Sequence, residues 1–376
     1  MSGRIKELDG IRGIAIILVL IWHYLSCQIL PEPQAHPLLT ILRKATRLTW
    51  SGVDLFFVLS GFLIVGILID HKHSPNFFKA FYIRRICRIF PIYYLMIFLF
   101  IIIRSLNLEN IEWLFANPFH IGYYLTYTQN FIMAHTSSYG APWFAVTWSL
   151  AIEEQFYLVI PLLVRNFNIR KLTIIFLSLI LLSPIFRSIG TLGYGAFFYP
   201  FARADSLMLG GLLAIIMRNK TIWGFMKRNY SSLCYLFVLF FIGAGILTYW
   251  SNGFGGPFNH LWLALFYAIF ILLPILNNKN FTSKILRNPI LVWFGLRSYG
   301  IYLYHFTVCG LMHALFFNSP PMLKDWERAG VTLLSLVATL AISDLSFRLI
   351  EKPIIAYGHR FKYREEFDPD TEAGPC

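Results

Sequence analysis

The chain has 376 residues, of which 57% are hydrophobic and only 14% are charged. A soluble globular domain carries about 25% charged residues, so this composition leaves too little polar surface for a protein that water surrounds. A net charge of +13 is also found in nucleic-acid-binding proteins, but here the basic residues follow a membrane topology. We therefore expect an all-α integral membrane protein with no nucleic acid partner.

Ten apolar stretches follow one another along the chain, each close to the length of about 20 residues that spans a bilayer. We place them at 13–30, 50–69, 89–105, 143–164, 172–189, 198–217, 231–250, 259–276, 289–317 and 329–350. With the N-terminus inside, inward segments hold 22 Lys and Arg residues and outward segments hold six. Cytoplasmic loops carry this excess in membrane proteins. The sequence therefore predicts a bundle of about ten transmembrane helices with both termini cytoplasmic.

The predicted membrane domain covers 1–362, and a short acidic tail, predicted to be disordered and cytoplasmic, follows at 363–376. The longest stretch between spans, 106–142, is half apolar and rich in Tyr, which favours a loop that dips into the membrane. The five cysteines show no C-x-x-C pair and no metal-ligand spacing, so we expect neither a disulfide framework nor a metal site. The expected location is the plasma membrane, the inner membrane in a bacterium, as a multi-pass protein.

Polar residues inside the spans are functional candidates because burying them in lipid is costly. In the first span, Arg12 and His23 are separated by about three helical turns, so they share one face and lie about 16 Å apart. Arg12 is predicted at the cytoplasmic mouth and His23 near mid-membrane, where burial favours the neutral imidazole that a general base needs. A purely structural interpretation, in which His23 packs between helices and Arg12 lies at the membrane interface, explains this pair about equally well.

The second span carries Asp54 near its outer end and the dipeptide Ser60-Gly61 further in. Asp54 is a candidate for substrate binding because a carboxylate in a span is costly unless it has a partner. Ser60-Gly61 permits close approach of a ligand or of another helix. Plain helix packing is the favoured interpretation of that dipeptide.

Three arginines, Arg84, Arg85 and Arg88, precede the third span on its inward side. Guanidinium groups bind phosphate through two parallel hydrogen bonds. The predicted helix start at these residues would add backbone donors. Anchoring of the helix at the inner surface explains the same cluster equally well.

The fourth span begins with Trp148-Ser149 and carries the adjacent carboxylates of Glu153 and Glu154. Spacing of four residues places Glu153 on one face with Ser149 and Tyr157, so Glu153 is predicted to line a polar cavity. Glu154 is predicted to pair with an arginine of another helix. The remaining candidates lie in later spans.

Arg203 and Asp205 are predicted to pair across helices or with the carboxylates of the fourth span. His305 is a candidate second wall of the polar cavity. A packed histidine bonded to a backbone carbonyl is the favoured interpretation of His305.

Together these segments resemble the acyltransferase family 3 membrane proteins, which O-acetylate cell-surface glycans and some small molecules. The resemblance rests on six motifs in order: Leu8-Asp9-Gly10-Ile11-Arg12-Gly13, Phe56–Leu63, Arg85-x-x-Arg88, Trp148–Tyr157, Ser298–His305 and Glu351-Lys352-Pro353. It implies a ten-helix bundle, an acyl-coenzyme A donor on the cytoplasmic side, and Arg12 with His23 as the essential pair. Many relatives also carry an extracytoplasmic hydrolase-like domain. Without one, this membrane domain is expected to complete the transfer itself or to pass the acyl group to another protein.

The resulting hypothesis is a membrane O-acyltransferase that moves an acyl group, most commonly acetyl, from acyl-coenzyme A to a glycan or lipid-linked saccharide. His23 serves as base or acyl carrier, Glu153 orients or recharges its imidazole, and Arg12 with the three later arginines holds the donor. The other substrate-binding candidates are Asp54, Ser60, Trp148, Ser149, Glu154, Tyr157, Arg203 and His305. No permanently bound cofactor is expected, membrane lipid is a partner, and the oligomeric state stays open.

A transporter or flippase is the alternative, because the same buried charges would then form a proton relay or a solute path. The sequence shows no inverted repeat that would support it. A glycan polymerase would also match the span count, but the chain lacks a very long outer loop to hold two glycan chains.

The predicted topology is tested by reporter fusions. Fusions after Lys72, Lys220 and Lys279 should report a cytoplasmic position, and fusions near Ser137 and Ser319 should report the outside, because the positive charges partition that way. Paired alkaline phosphatase and fluorescent protein reporters give the measurement. A cytoplasmic position for Ser137 would contradict the assignment around 106–142.

Overall fold

The computed structural model describes residues 5–30, 37–189, 195–250 and 256–364. Within these ranges the regular structure is helical, and no strand occurs. Ten long helices are α1 Lys6–Ile21, α2 Gly52–Asp70, α3 Phe77–Ser105, α4 Trp148–Asn166, α5 Ile169–Arg187, α6 Ala204–Arg218, α7 Tyr230–Trp250, α8 Asn259–Leu276, α9 Pro289–Phe317 and α10 Trp326–Ser346. The all-α fold class predicted from the sequence is confirmed.

Shorter helical segments connect or extend the long helices. They are Trp22–Ser26, Pro37–Ala45, Arg47–Ser51, Glu109–Phe115, Ile121–Leu125, Gln129–Thr136, Pro142–Thr147, Pro200–Arg203, Lys220–Arg228, Phe281–Leu286, Phe347–Glu351 and Lys352–Gly358. Two of them, Trp22–Ser26 and Phe347–Glu351, are π-helical turns that continue α1 and α10. Such turns inside longer helices are frequent at functional sites.

Nine helices in the described ranges are long and apolar enough to cross a membrane. They indicate a multi-pass membrane protein. Helix α4 is the predicted span that is not among the nine, and it carries Glu153, Glu154 and Arg165. The count of ten spans and the cytoplasmic position of both ends therefore stay predictions.

Two helices begin well before the predicted spans. Helix α1 begins at Lys6 instead of 13, so Arg12 lies within the helix. Helix α3 begins at Phe77 instead of 89, so the arginine cluster 84–88 lies beyond its first turn. Only the first four N–H groups of a helix lack an intrahelical partner. The predicted contribution of helix N-terminal donors beside these arginines is therefore wrong.

The connection between α3 and α4 is folded, although the sequence suggested a loop. Gln129 and Asn130 in this connection are fully buried. The amide of Gln129 donates to the carbonyl oxygen of Thr147 at 3.0 Å, and the amide of Asn130 donates to that of Phe198 at 3.1 Å. These bonds fix the connection over one end of the bundle. Its entry into the bilayer stays a prediction.

Helices α2 and α6 approach each other closely through glycine. A Cβ atom at Gly61 of α2 would overlap the backbone carbonyl of Leu207, and one at Gly210 of α6 would overlap that of Val58. Small residues at helix interfaces permit such contact in membrane proteins. The helix-packing interpretation of Gly61 thus agrees with the structure, and the contact brings α2 alongside the segment that carries Arg203.

Candidate functional site

Three arginines converge on one cavity of about 150 Å³, which we call the arginine cavity. Arg12 comes from α1, whereas Arg85 and Arg88 come from one face of α3, as their spacing of three requires. The other polar residues of its wall are Ser60, Ser149, Glu153, Tyr157, Ser298, Tyr299 and Tyr302. Three cations face one carboxylate here, so this cavity suits an anionic ligand.

Hydrogen bonds hold the polar wall of the arginine cavity in place. The hydroxyl groups of Ser60 and Tyr157 lie 2.7 Å apart, and those of Ser149 and Tyr302 lie 2.6 Å apart. The guanidinium of Arg85 lies 5.8 Å from the ring centre of Tyr157, a favourable distance for a cation over an aromatic face. The face predicted for Ser149, Glu153 and Tyr157 therefore does line a polar cavity.

Arg84 faces a smaller pocket of about 100 Å³ beside the arginine cavity, lined also by Arg85, Arg88, His359 and Tyr363. We call it the rim pocket. Burial lowers the pKa of His359, and the charges of the three arginines lower it further. The rim pocket is therefore a site of positive potential that extends the arginine cavity.

Tyr363 belongs to the rim pocket, although the sequence assigned it to a disordered tail. Its ring stacks on that of His71 with centres 4.0 Å apart, and the guanidinium of Arg84 lies 5.0 Å from its ring centre. The backbone N–H of Arg364 donates to Asn76 at 2.9 Å. The rest of the predicted tail, 365–376, lies outside the described residues.

His23 lines a second cavity of about 390 Å³, which we call the histidine cavity. Val53 and Tyr302 line both cavities and form the wall between them. Because Arg12 and His23 lie near opposite ends of the α1 segment, the two cavities are offset along that helix. The predicted pair therefore faces two adjoining cavities instead of one.

The hydrogen bonds of His23 define its tautomer. Its Nδ1 atom lies 3.0 Å from the carbonyl oxygen of Val19 and 3.2 Å from Nε2 of His305. Nδ1 of His305 in turn lies 2.7 Å from the carbonyl oxygen of Tyr302. A carbonyl oxygen only accepts, so both Nδ1 atoms carry the proton. Neutral His23 then keeps its lone pair on Nε2, the atom that a base or nucleophile needs.

His305 takes the place beside His23 that the sequence had suggested for Glu153. Glu153 lines the arginine cavity, whereas the side-chain partner of His23 is His305. The prediction that Glu153 orients the imidazole is therefore wrong. His305 is fully buried and makes the backbone hydrogen bond that the sequence favoured.

Glu154 lacks the arginine partner predicted for it. Among the described residues it forms no ion pair, and its Oε1 atom is buried without a hydrogen-bond partner. Helix α4 directs Glu153 into the arginine cavity and the adjacent Glu154 elsewhere, because neighbouring residues point to different helix faces.

A buried charge cluster borders the histidine cavity. Arg203 and Asp54 are both fully buried, with Nη2 of the arginine 2.6 Å from Oδ1 of the carboxylate. His260 of α8 contacts both groups, at 3.4 Å from Asp54. The guanidinium also lies within 4.9 to 5.9 Å of three ring centres, those of Phe57, Trp148 and Phe197. The predicted pairing of Arg203 across helices is thus observed.

Asp205 also pairs across helices, as predicted, with Arg187 of α5 at 2.6 Å. Two further residues, His260 and Tyr302, were not among the sequence candidates. His260 lies at the start of an apolar span, so the cost of a polar group in lipid could have signalled it. Tyr302 lies within the Ser298–His305 motif, but no spacing or charge argument singled it out, since tyrosine is frequent throughout this chain.

The fold and the two cavities define a multi-pass helical protein with an arginine-lined cavity and a half-buried histidine on opposite sides of one wall. The family described as an acyltransferase domain matches residues 5–348. The chain belongs to this family, acyltransferase family 3.

Several bacterial proteins are similar over nearly the whole chain. Peptidoglycan O-acetyltransferase OatA of Listeria monocytogenes is 28% identical over 96% of this chain and 58% of its own length. YrhL of Bacillus subtilis, named as a candidate peptidoglycan O-acetyltransferase, is 29% identical over 96% of this chain and 57% of its own length. The chain thus spans less than two thirds of these relatives. No solved structure matches it significantly.

The buried ion pair of Arg203 with Asp54 is expected to contribute strongly to the stability of the protein. Arg203→Met leaves the Asp54 carboxylate buried without its cation, so we expect the free energy of unfolding to fall by about 3–5 kcal/mol. The matched control is Arg218→Met, which breaks a pair with Asp70 whose side chains are 32% and 48% exposed; its cost should be about 1 kcal/mol or less. Denaturant titration in detergent micelles measures both. Equal losses in the two variants would contradict the prediction.

Proposed function

We propose that this protein is a membrane O-acyltransferase that moves an acyl group, acetyl in the first instance, from acyl-coenzyme A to a hydroxyl of a glycan. One observation carries the proposal: a cavity lined by three arginines adjoins a cavity lined by a histidine with a free lone pair. Membership of the acyltransferase family supports the reaction class. OatA of Listeria monocytogenes is named a peptidoglycan O-acetyltransferase, which supports a cell-surface glycan as the acceptor.

The donor occupies the arginine cavity and the rim pocket in this proposal. Coenzyme A carries several phosphate groups, and guanidinium forks bind phosphate with two charge-assisted hydrogen bonds. Arg12, Arg85 and Arg88 face the larger space, and Arg84 extends the positive surface to the rim pocket. The pantetheine arm then points toward the wall formed by Val53 and Tyr302. Under the predicted topology, this end of the protein lies on the cytoplasmic side of the bacterial inner membrane.

His23 acts on the thioester from the other side of this wall, and two routes use the same nitrogen. In the first, Nε2 takes the proton of the acceptor hydroxyl as its oxygen attacks the thioester carbonyl. The carbon–sulfur bond breaks, and the coenzyme A thiolate leaves and is protonated. In the second, Nε2 itself attacks the carbonyl, the carbon–sulfur bond breaks, the coenzyme A thiolate leaves and is protonated, and an acyl-imidazole remains. The acceptor hydroxyl then attacks the acyl carbon, loses its proton, and releases the free imidazole. His305 is a positioning residue in both routes, because its Nε2 accepts from Nδ1 of His23.

Glu153 has a different place in this mechanism from the one that the sequence suggested. It lies with Arg12, Arg85 and Arg88 in the arginine cavity, so it acts at the donor end. A carboxylate there counters the mutual repulsion of the three cations when no anion is bound. A transporter would use these same charges, and a reaction assay separates the two functions.

The function is tested with purified protein, acetyl-coenzyme A and a soluble chitooligosaccharide as acceptor. We expect release of free thiol that depends on the acceptor, together with a mass increase of one acetyl group on the saccharide. The control omits the acceptor and shows the rate of hydrolysis alone. A transporter or flippase would release no thiol under these conditions.

Donor binding is tested at the arginine cavity. The double change Arg85→Ala with Arg88→Ala should weaken acetyl-coenzyme A binding about tenfold or more, because hydrogen bonds to charged groups contribute strongly. The loss of affinity relative to the wild type should be larger at low salt, where screening is weak. Lys replacements at the two positions should restore only part of the affinity. Isothermal titration calorimetry gives the affinity. Arg104→Ala, at the other end of the same helix, is the matched control, and unchanged affinity in the double variant would reject the donor site.

The role of His23 is tested with His23→Gln, which keeps a hydrogen-bonding side chain but removes the basic nitrogen. We expect the rate of thiol release to fall by about 10²–10⁴, with donor affinity unchanged. His313→Gln is the matched control, since His313 is a fully buried histidine that bonds Thr332 at 2.9 Å and lines neither cavity.

Labelled acyl groups distinguish the two routes. A label trapped on the wild-type protein, and absent from His23→Gln, would support the acyl-imidazole route. Activity that persists in His23→Gln at normal membrane abundance would reject the mechanism.

A further inference from the structure

The buried face of α10 is polar, although the helix belongs to a membrane bundle. Six residues of α10 are buried, and all of them except Val331 carry a hydroxyl group. We call these five residues the hydroxyl face: Thr332, Ser335, Thr339, Ser343 and Ser346. Hydroxyl groups of membrane helices hydrogen-bond across helix interfaces. Helix α10 is described along its whole length and lines neither cavity, so its polar face acts on neighbouring helical segments.

A π-helical turn carries His23 and changes the backbone hydrogen bonds around this residue. The N–H group of Cys27 donates to the carbonyl oxygen of Trp22, five residues back, at 2.8 Å. In an α-helix this N–H group would reach the carbonyl four residues back, which is that of His23. The carbonyl oxygen of His23 accepts from the side-chain amide of Gln28 at 3.0 Å. Gln28 therefore stabilises the turn at the residue that carries the imidazole.

Gln28 is buried and is held by two helices. The hydroxyl of Thr332 on the hydroxyl face donates to its Oε1 atom at 2.9 Å, and its Nε2 atom lies 3.4 Å from Sγ of Cys309 on α9. His313 bonds the same threonine. Because the hydroxyl proton of Thr332 goes to Gln28, an amide in place of the His313 ring can still donate to the threonine oxygen. The control variant His313→Gln thus leaves Gln28 in its place.

Tyr24 makes the corresponding bond to the second histidine. Its hydroxyl donates to the carbonyl oxygen of His305 on α9 at 2.9 Å and accepts from the hydroxyl of Thr339, which lies 2.8 Å away. This direction follows because tyrosine has one hydroxyl proton and a carbonyl oxygen only accepts. Thr332 and Thr339 are two helical turns apart, so they lie on the same face of α10.

The backbone carbonyls of both histidines are thus fixed against one helix. The contact between the two imidazoles joins Nδ1 of His23 to Nε2 of His305 at 3.2 Å, which is the long end of the usual range for a hydrogen bond. Such bonds weaken steeply when their angle becomes unfavourable. A small displacement of either backbone segment would therefore break the contact between the rings.

We propose that Tyr24 and Gln28 are positioning residues for His23, and that the hydroxyl face of α10 anchors them. Together they keep Nδ1 of His23 donating to His305, which leaves the lone pair on Nε2 of His23. This inference rests on the proposed acyltransferase function and adds the residues that hold its base or acyl carrier in place.

Single substitutions test the positioning role. Tyr24→Phe and Gln28→Met remove the polar groups but nearly keep the size of each side chain. We expect the rate of thiol release to fall about fivefold to tenfold in each variant, because one net hydrogen bond is lost. The affinity for acetyl-coenzyme A, measured by calorimetry, should not change.

Tyr93→Phe is the matched control. Tyr93 is fully buried, donates to the carbonyl oxygen of Tyr124 at 2.9 Å and accepts from Gln129 at 3.2 Å. It therefore loses the same kinds of hydrogen bond as Tyr24→Phe does, but it lines neither cavity. The rate of thiol release should stay at the wild-type level.

A double-mutant cycle separates positioning from a general loss of stability. If Tyr24 acts through His305, Tyr24→Phe should have no further effect on the rate in a His305→Phe background, because coupled residues are not additive. A purely structural role would lower the rate by the same factor in both backgrounds, and that result would overturn the proposal for Tyr24.

Nuclear magnetic resonance of the full chain with ¹⁵N-labelled histidine tests the contact without any reaction. The nitrogen–nitrogen coupling across the hydrogen bond from His23 to His305 should be present in the wild type and in Tyr93→Phe. It should fall about twofold or more in Tyr24→Phe and in Gln28→Met, because the bond geometry is lost. His23→Gln assigns the signal. Absence of the coupling in the wild type, or an equal coupling in wild type and both variants, would overturn the proposal.

The two measurements separate this inference from the proposed function. A coupling that falls in both variants, without thiol release in the wild type, would support the positioning network and reject the transferase. Thiol release in the wild type that is unchanged in both variants would support the transferase and overturn the positioning role.

Discussion

The cost of placing charge in a hydrocarbon environment constrains this molecule more than any other factor. Arg203 shows how the chain offsets the free-energy cost of burying a charge. Its guanidinium is fully buried, pairs with Asp54, contacts His260 and lies over three aromatic rings. Four helical segments must therefore meet around one cation, and the glycine contact between α2 and α6 brings two of them close enough.

The same constraint divides the interior into two chemically different spaces. Helix α2 contributes to both, with Asp54 at the histidine cavity and Ser60 at the arginine cavity, about 9 Å further along the helix. Tyr302 stands between the two, and its hydroxyl bonds Ser149 at 2.6 Å and the carbonyl of Val146 at 3.0 Å. Val53 and Tyr302 thus separate a cavity lined by three arginines from one lined largely by aromatic rings.

The arginines of the two neighbouring pockets form one connected positive surface. Arg85 and Arg88 line both the arginine cavity and the rim pocket, so the positive surface is continuous from the bundle interior to its edge. Arg84 points outward from the same helix and is held by the carbonyl of Phe361 at 2.9 Å. The residues that follow α10 therefore take part in shaping the rim pocket.

Much of the architecture could be predicted from sequence, because an apolar run long enough to span a bilayer has few structural alternatives. Hydropathy and residue spacing located the long helices and the shared face of Ser149, Glu153 and Tyr157. Only the tertiary structure decided which of these side chains meet. It placed His305, not Glu153, beside His23, and separated Arg12 from His23 by a wall. Helical periodicity determines the face on which a residue lies. The partner opposite that face depends on how helices distant in sequence pack, and a local sequence pattern does not contain that information.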